Sequence, residues 1–169
     1  MKALYLILSL AVVAPAVSAA ESMPNDTFRQ MMLSIGALNY WNKAPSSLMF
    51  KCGAAYPDVS KSTQADLAKW NNDNAAINAK VGATLQKYVP YVSRHMGKTP
   101  DEFQLLTTRV VDEEVAQHFF NAVAEPKRHQ LCGNFMQLLH AMLSDDLTKP
   151  RVNAALEDLP QYDNYLPKK

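Results

Sequence analysis

The chain is expected to fold as an all-α helical bundle of about four main helices plus one or two short helices, stapled by one disulfide. Three observations carry that expectation. Apolar residues recur at three- and four-residue spacing over most of the length, whereas no stretch alternates for long enough to make a strand. Helix start signals divide the chain into segments joined by short connections, which favour antiparallel neighbours. Two cysteines, Cys52 and Cys132, remain in a chain that begins with an export signal.

The signal occupies residues 1–20. Lys2 precedes an apolar run from Ala3 to Val13, then Pro15 and the small residues Ala16 to Ala20, with cleavage after Ala19 or Ala20. A run of about eleven residues is short of the roughly 20 needed to cross a bilayer, and no later stretch approaches that length. The mature chain is therefore expected to be periplasmic or secreted and not membrane-spanning. A single helical domain would cover residues 21–160, with an irregular tail over 161–169.

From Asn25 or Asp26 the residues Phe28, Met31, Met32, Ile35 and Leu38 mark a first helix to about Trp41. Residues 42–47, with Pro45 and two serines, read as a connection. A short apolar piece from Leu48 to Tyr56 follows and carries Cys52. Asp58 or Ser60 caps a long segment to Met96. There Leu67, Trp70, Val81, Leu85, Tyr88, Val92 and Met96 gather on one side, and Lys69, Lys80, Lys87, Arg94 and Lys98 on the other. Pro90 predicts a kink or break near Lys87. Asn71, Asn72, Asn74 and Asn78 make this segment rich in amides, and Asn74 falls on its apolar side.

Thr99, Pro100, Asp101 and Glu102 form the clearest start signal, a capping box with proline at the first helical position, and predict a helix to about Ala124. Leu131, Phe135, Leu138, Leu139, Met142 and Leu143 stripe the next, from Pro126 to about Asp145. A shorter helix from Thr148 or Pro150 to Leu159 completes the bundle. Pairing Cys52 with Cys132 closes a loop of roughly 80 residues, which the chain-entropy argument values at about 4.5 kcal/mol.

Composition suits one globular domain: 169 residues, 48% hydrophobic and 20% charged, with 5 Gly and 10 Pro, which excludes disorder, collagen and disulfide-rich miniproteins. With 17 Lys and Arg against 16 Asp and Glu, the chain lacks the basic excess of a nucleic-acid binder. Removal of the leader takes Lys2 and leaves the charges balanced.

Two features offer a function. The cationic stripe of Lys69, Lys80, Lys87, Arg94 and Lys98 suits an unidentified protein partner or an anionic envelope component, although a solvated helix face looks much the same. In the Thr99–Ala124 helix the apolar side switches from Phe103, Leu106 and Val110 to Val115, Phe119 and Val123. The vacated side holds Glu113, Glu114, Gln117, His118 and Asn121. Glu114 and His118 are one turn apart and can touch. That cluster is a candidate ligand-binding site, against the plainer account that the helix changes neighbours and shows this side to water.

No metal site is assigned, because the four-residue Glu–His spacing does not match carboxylate-bridged bundle centres, which use Glu-x-x-His on two helices. Covalent haem attachment lacks its Cys-x-x-Cys-His, and neither a nucleophile elbow nor a phosphate loop occurs. No cofactor is assigned, and catalysis has no positive sign. The expected function is that of an exported, non-enzymatic protein that binds a partner in the cell envelope or periplasm, as an inhibitor, immunity-type or chaperone-like protein does. The alternative is a carrier of a metal, haem or small ligand around Glu114 and His118.

Overall fold

A computed structural model describes residues 23–143 and 148–167. The expected leader and the last two residues of the tail lie outside the described residues. Among the described residues the fold is all-α, with no strand, and Cys52 is bonded to Cys132 across a Cα–Cα distance of 5.5 Å.

Helix α1 (Asn25–Ala55) runs through the centre and packs against α2 (Ser60–Asp73), α3 (Ala75–His95), α4 (Pro100–Val115) and α7 (Thr148–Asp158). It is antiparallel to α3: Trp41 Nε1 donates to Asn78 Oδ1 at 2.8 Å, and the Phe28 and His95 rings lie 4.1 Å apart. It is parallel to α4, because Lys43 meets Thr108 and Ser47 meets Asp112 at one constant offset. The connection expected over residues 42–47 is instead helical. Pro45 costs α1 one backbone hydrogen bond, but Ala44, Pro45, Ser47 and Leu48 are all buried, and side-chain packing on several helices keeps the turn in place.

The long segment does break, at Asn74 and not at Pro90. Asn74 leaves helical geometry (φ −108°, ψ 17°), and its side chain donates to the Trp70 carbonyl at 2.8 Å, the local competition with the backbone that asparagine favours. Pro90 is accommodated inside α3, whose flanking Val89 and Val92 are buried. The helix ends in a Schellman turn. Lys98 N–H reaches Ser93 O at 2.8 Å and Gly97 N–H reaches Arg94 O at 3.0 Å, with Gly97 at φ 66°, where a side chain is disfavoured.

The capping box of α4 forms as expected: Glu102 N–H donates to Thr99 Oγ1 at 3.2 Å, and Thr99 N–H donates to Glu102 Oε2 at 2.7 Å. Those hydrogen bonds, the backbone one first, hold the Glu102 carboxyl below its ordinary value. Beyond Val115 the helix widens into a π turn, Ala116–Phe120, with Asn121 N–H bonded to Ala116 O at 2.9 Å. Val111, Val115 and Phe119 are buried at four-residue spacing, so the buried side is already that of Val115 before the π turn begins. Arg128 Nη1 donates to the Phe120 carbonyl at its end.

The predicted fourth main helix is also divided, into α5 (Glu125–Gly133) and α6 (Phe135–Leu143), at Asn134. Asp66 of α2 accepts from Met136 N–H at 3.2 Å and so caps α6 from a neighbouring helix. The tail, expected to be irregular from residue 161, continues as a 3-10 helix, Leu159–Tyr165, with Leu159 and Tyr162 buried. The core gathers Trp41, Trp70, Tyr88, Phe103 and Phe135 around α1, with the two tryptophan rings 5.1 Å apart.

Candidate functional site

The five cations of the predicted stripe are divided among three places. Lys69 lies on α2, Lys80, Lys87 and Arg94 on α3, and Lys98 in the turn after it. Two are already partnered by carboxylates: Lys69 with Asp73 at 2.5 Å and Lys87 with Asp163 at 2.6 Å. The seven-residue repeat puts Lys80, Lys87 and Arg94 on one exposed face of α3, spread over about 21 Å.

Beside that row, a cleft of about 700 Å³ opens between α3 and α7. Ile77 and Leu156 supply its apolar part, Asn74 and Asn153 its amides, Lys80 and Lys149 its cations, and Asp73 and Glu157 its acids. Lys80 thus belongs both to the row and to the cleft.

The polar cluster of α4 forms its expected pair, His118 Nε2 to Glu114 Oε2 at 2.9 Å, with the histidine on the π turn. Glu113 turns to Arg109 at 2.9 Å instead, and Gln117 and Asn121 are exposed. None of these five lines the α3–α7 cleft or the groove described next. Among the described residues no group of three or more His, Cys, Asp or Glu side chains is placed to hold a metal ion.

A groove that sequence reasoning missed lies between α1 and α4. It encloses about 360 Å³ and is lined by Asn42, Lys43, Ser46, Ser47, Phe50, Lys51, Thr108 and Asp112. Ser47, buried, donates to Asp112 Oδ1 at 2.5 Å, and Lys43 Nζ donates to Thr108 Oγ1 at 2.8 Å. Lys43 has no carboxylate within ion-pair distance among the described residues. Burial lowers its pKa from the ordinary lysine value, and the nearby Asp112 charge offsets part of that shift. Phe50 stands on the rim 73% exposed, in contrast to the buried Trp41, Tyr56 and Trp70, and Leu105 of α4 is equally exposed.

The signals were present as two helical pairs, Lys43 with Ser47 and Thr108 with Asp112, each four residues apart. Pro45 disguised the first as loop, and the parallel register that joins the pairs is invisible in one dimension. No described helix is long and apolar enough to cross a membrane. Comparison of the chain with protein-family models, with curated proteins and with solved structures finds no match.

Proposed function

We propose that the protein is exported and acts by binding a protein partner in the envelope or periplasm, through the cationic face of α3 and the adjoining α3–α7 cleft. The observation that carries this reading is the alignment of Lys80, Lys87 and Arg94 beside a cleft into which Lys80 and Lys149 both open. A mixed site of this kind suits an acidic protein segment with apolar side chains better than a lipid surface or a uniform polyanion, because Asp73 and Glu157 on the rim would repel the latter. The buried disulfide fits a compartment that oxidises thiols.

The test uses the mature chain purified from its native host's export compartment. Its N-terminus should be Ala20 or Glu21, and crosslinking should trap one dominant protein. The Lys80→Glu, Arg94→Glu, Lys149→Glu variant should bind that protein at least about tenfold more weakly, and raised salt should weaken the wild-type complex. Unchanged binding by the folded variant excludes this surface, and capture of anionic lipid or polymer in place of protein excludes the partner class. The carrier reading around Glu114 and His118 rests on their hydrogen bond at the π turn. A stoichiometric metal or a Soret band in gently purified protein would support it.

A further inference from the structure

The α1–α4 groove is chemically unlike the cationic face. Its lysine is half-buried, is hydrogen-bonded to a hydroxyl and not to a carboxylate, and opens onto a cavity large enough for a small molecule. The nearest acid, Asp112, is engaged by Ser47 at 2.5 Å. An amine so placed is less completely tied up as ammonium than a lysine in open water or in an ion pair. Desolvation of this kind is the ordinary means by which a lysine becomes a nucleophile. The wall beside it carries Phe50, whose exposed ring offers an apolar face, and Lys51, a second cation.

We infer that the α1–α4 groove captures a small anionic aldehyde or ketone, with Lys43 forming a reversible imine, Phe50 covering the organic body and Lys51 meeting the anionic group. The unprotonated Lys43 amine adds its electron pair to the carbonyl carbon, and one nitrogen proton passes by way of solvent to the carbonyl oxygen to give a neutral carbinolamine. The hydroxyl takes a proton from solvent and leaves as water while the nitrogen lone pair forms the carbon–nitrogen double bond, and the nitrogen returns its second proton to solvent. Hydrolysis reverses each step, and no oxidant or reductant is consumed. Thr108 Oγ1 holds the resting amine in the groove, and the Ser47–Asp112 pair keeps the carboxylate from closing on it.

This inference is independent of the partner proposed above, and its test needs none. The purified mature chain is incubated with 4-formylbenzoate and cyanoborohydride, which adds hydride to the imine and fixes it as a secondary amine. Peptide mapping then reads which lysine carries the added mass. Lys43 should be labelled at least about fivefold faster than the exposed Lys61 and Lys127 at neutral pH, and its rate should rise at lower pH than theirs. Lys51→Ala should slow labelling by 4-formylbenzoate while leaving labelling by uncharged benzaldehyde unchanged. The Lys43→Arg variant, checked by circular dichroism, should lose the dominant adduct. Equal labelling of Lys43 and Lys61 in the wild-type chain overturns the inference, as does a dominant lysine adduct, counted apart from the N-terminal amine, that survives in folded Lys43→Arg.

Discussion

Two fastenings hold distant parts of this chain together, and they differ in kind. The first is the Cys52–Cys132 disulfide, both of whose residues are fully buried, which ties the last turn of α1 to α5. The second is the clasp on α3. There the single Tyr88 hydroxyl proton is shared between the Leu159 carbonyl, 2.8 Å away, and the Asp163 carboxylate, while Lys87 meets the same carboxylate at 2.6 Å. One fastening is covalent and indifferent to salt and acid. The other is built from a phenol, a carboxylate and an amine, so solution conditions reach it. Tightness at one point of a small fold thus says little about another, and the two can be loosened separately.

The largest expected effect comes from the Cys52→Ser, Cys132→Ser double variant, which should lose about 2–5 kcal/mol by denaturant titration. A loss no larger than that of an ordinary surface change would place the strength of the fold elsewhere. Tyr88→Phe should cost about 1–3 kcal/mol, because it removes the one hydroxyl donor that the Leu159 carbonyl and the Asp163 carboxylate share. The expected readout is faster hydrogen exchange over residues 159–165, with α5 unaffected.

The clasp should also respond to pH from both sides. Hydrogen bonds from Lys87 and Tyr88 hold the Asp163 carboxyl below its usual range, so its contribution is present above the ordinary aspartate value of about 3.9 and is lost as pH falls through the lower folded value. Burial and the Asp163 hydrogen bond push the Tyr88 phenol well up, so its contribution is complete below the ordinary tyrosine value of about 10 and declines as pH rises above it. Protection of residues 159–165, taken relative to the intrinsic exchange rate at each pH, should therefore fall at both extremes, and constant protection would contradict the assignment. The smallest effect belongs to Lys87→Met. Its ion pair is about half exposed, so the stability change should be barely measurable and should vanish in about 0.5 M salt.

Local signals in the sequence were legible where the residue and the backbone it controls are close together. Thr99 and Glu102 announced the start of α4, and Glu114 and His118 were placed in contact by one helical turn. Where the outcome depended on remote packing, the same signals misled. Pro45 and Pro90 sit inside helices because buried neighbours hold those turns, while Asn74 and Asn134 end helices that periodicity alone would continue. The cationic stripe spans a segment whose expected break lies near Lys87, whereas the actual break at Asn74 separates Lys69 from the three cations of α3. Lys43 and Asp112 lie 69 positions apart, and only the parallel packing of α1 on α4 brings them into one groove.

The central position of α1 bears on how the molecule is made. Its buried residues are covered in part by α7, so α1 is synthesised long before one of the helices that enclose it. Until α7 has been synthesised, α1 lacks part of its cover and the interior around it is unfinished. A fold whose central helix waits on a helix that starts more than a hundred residues after it does cannot close locally, and stays open to chaperones and proteases while the residues between are made.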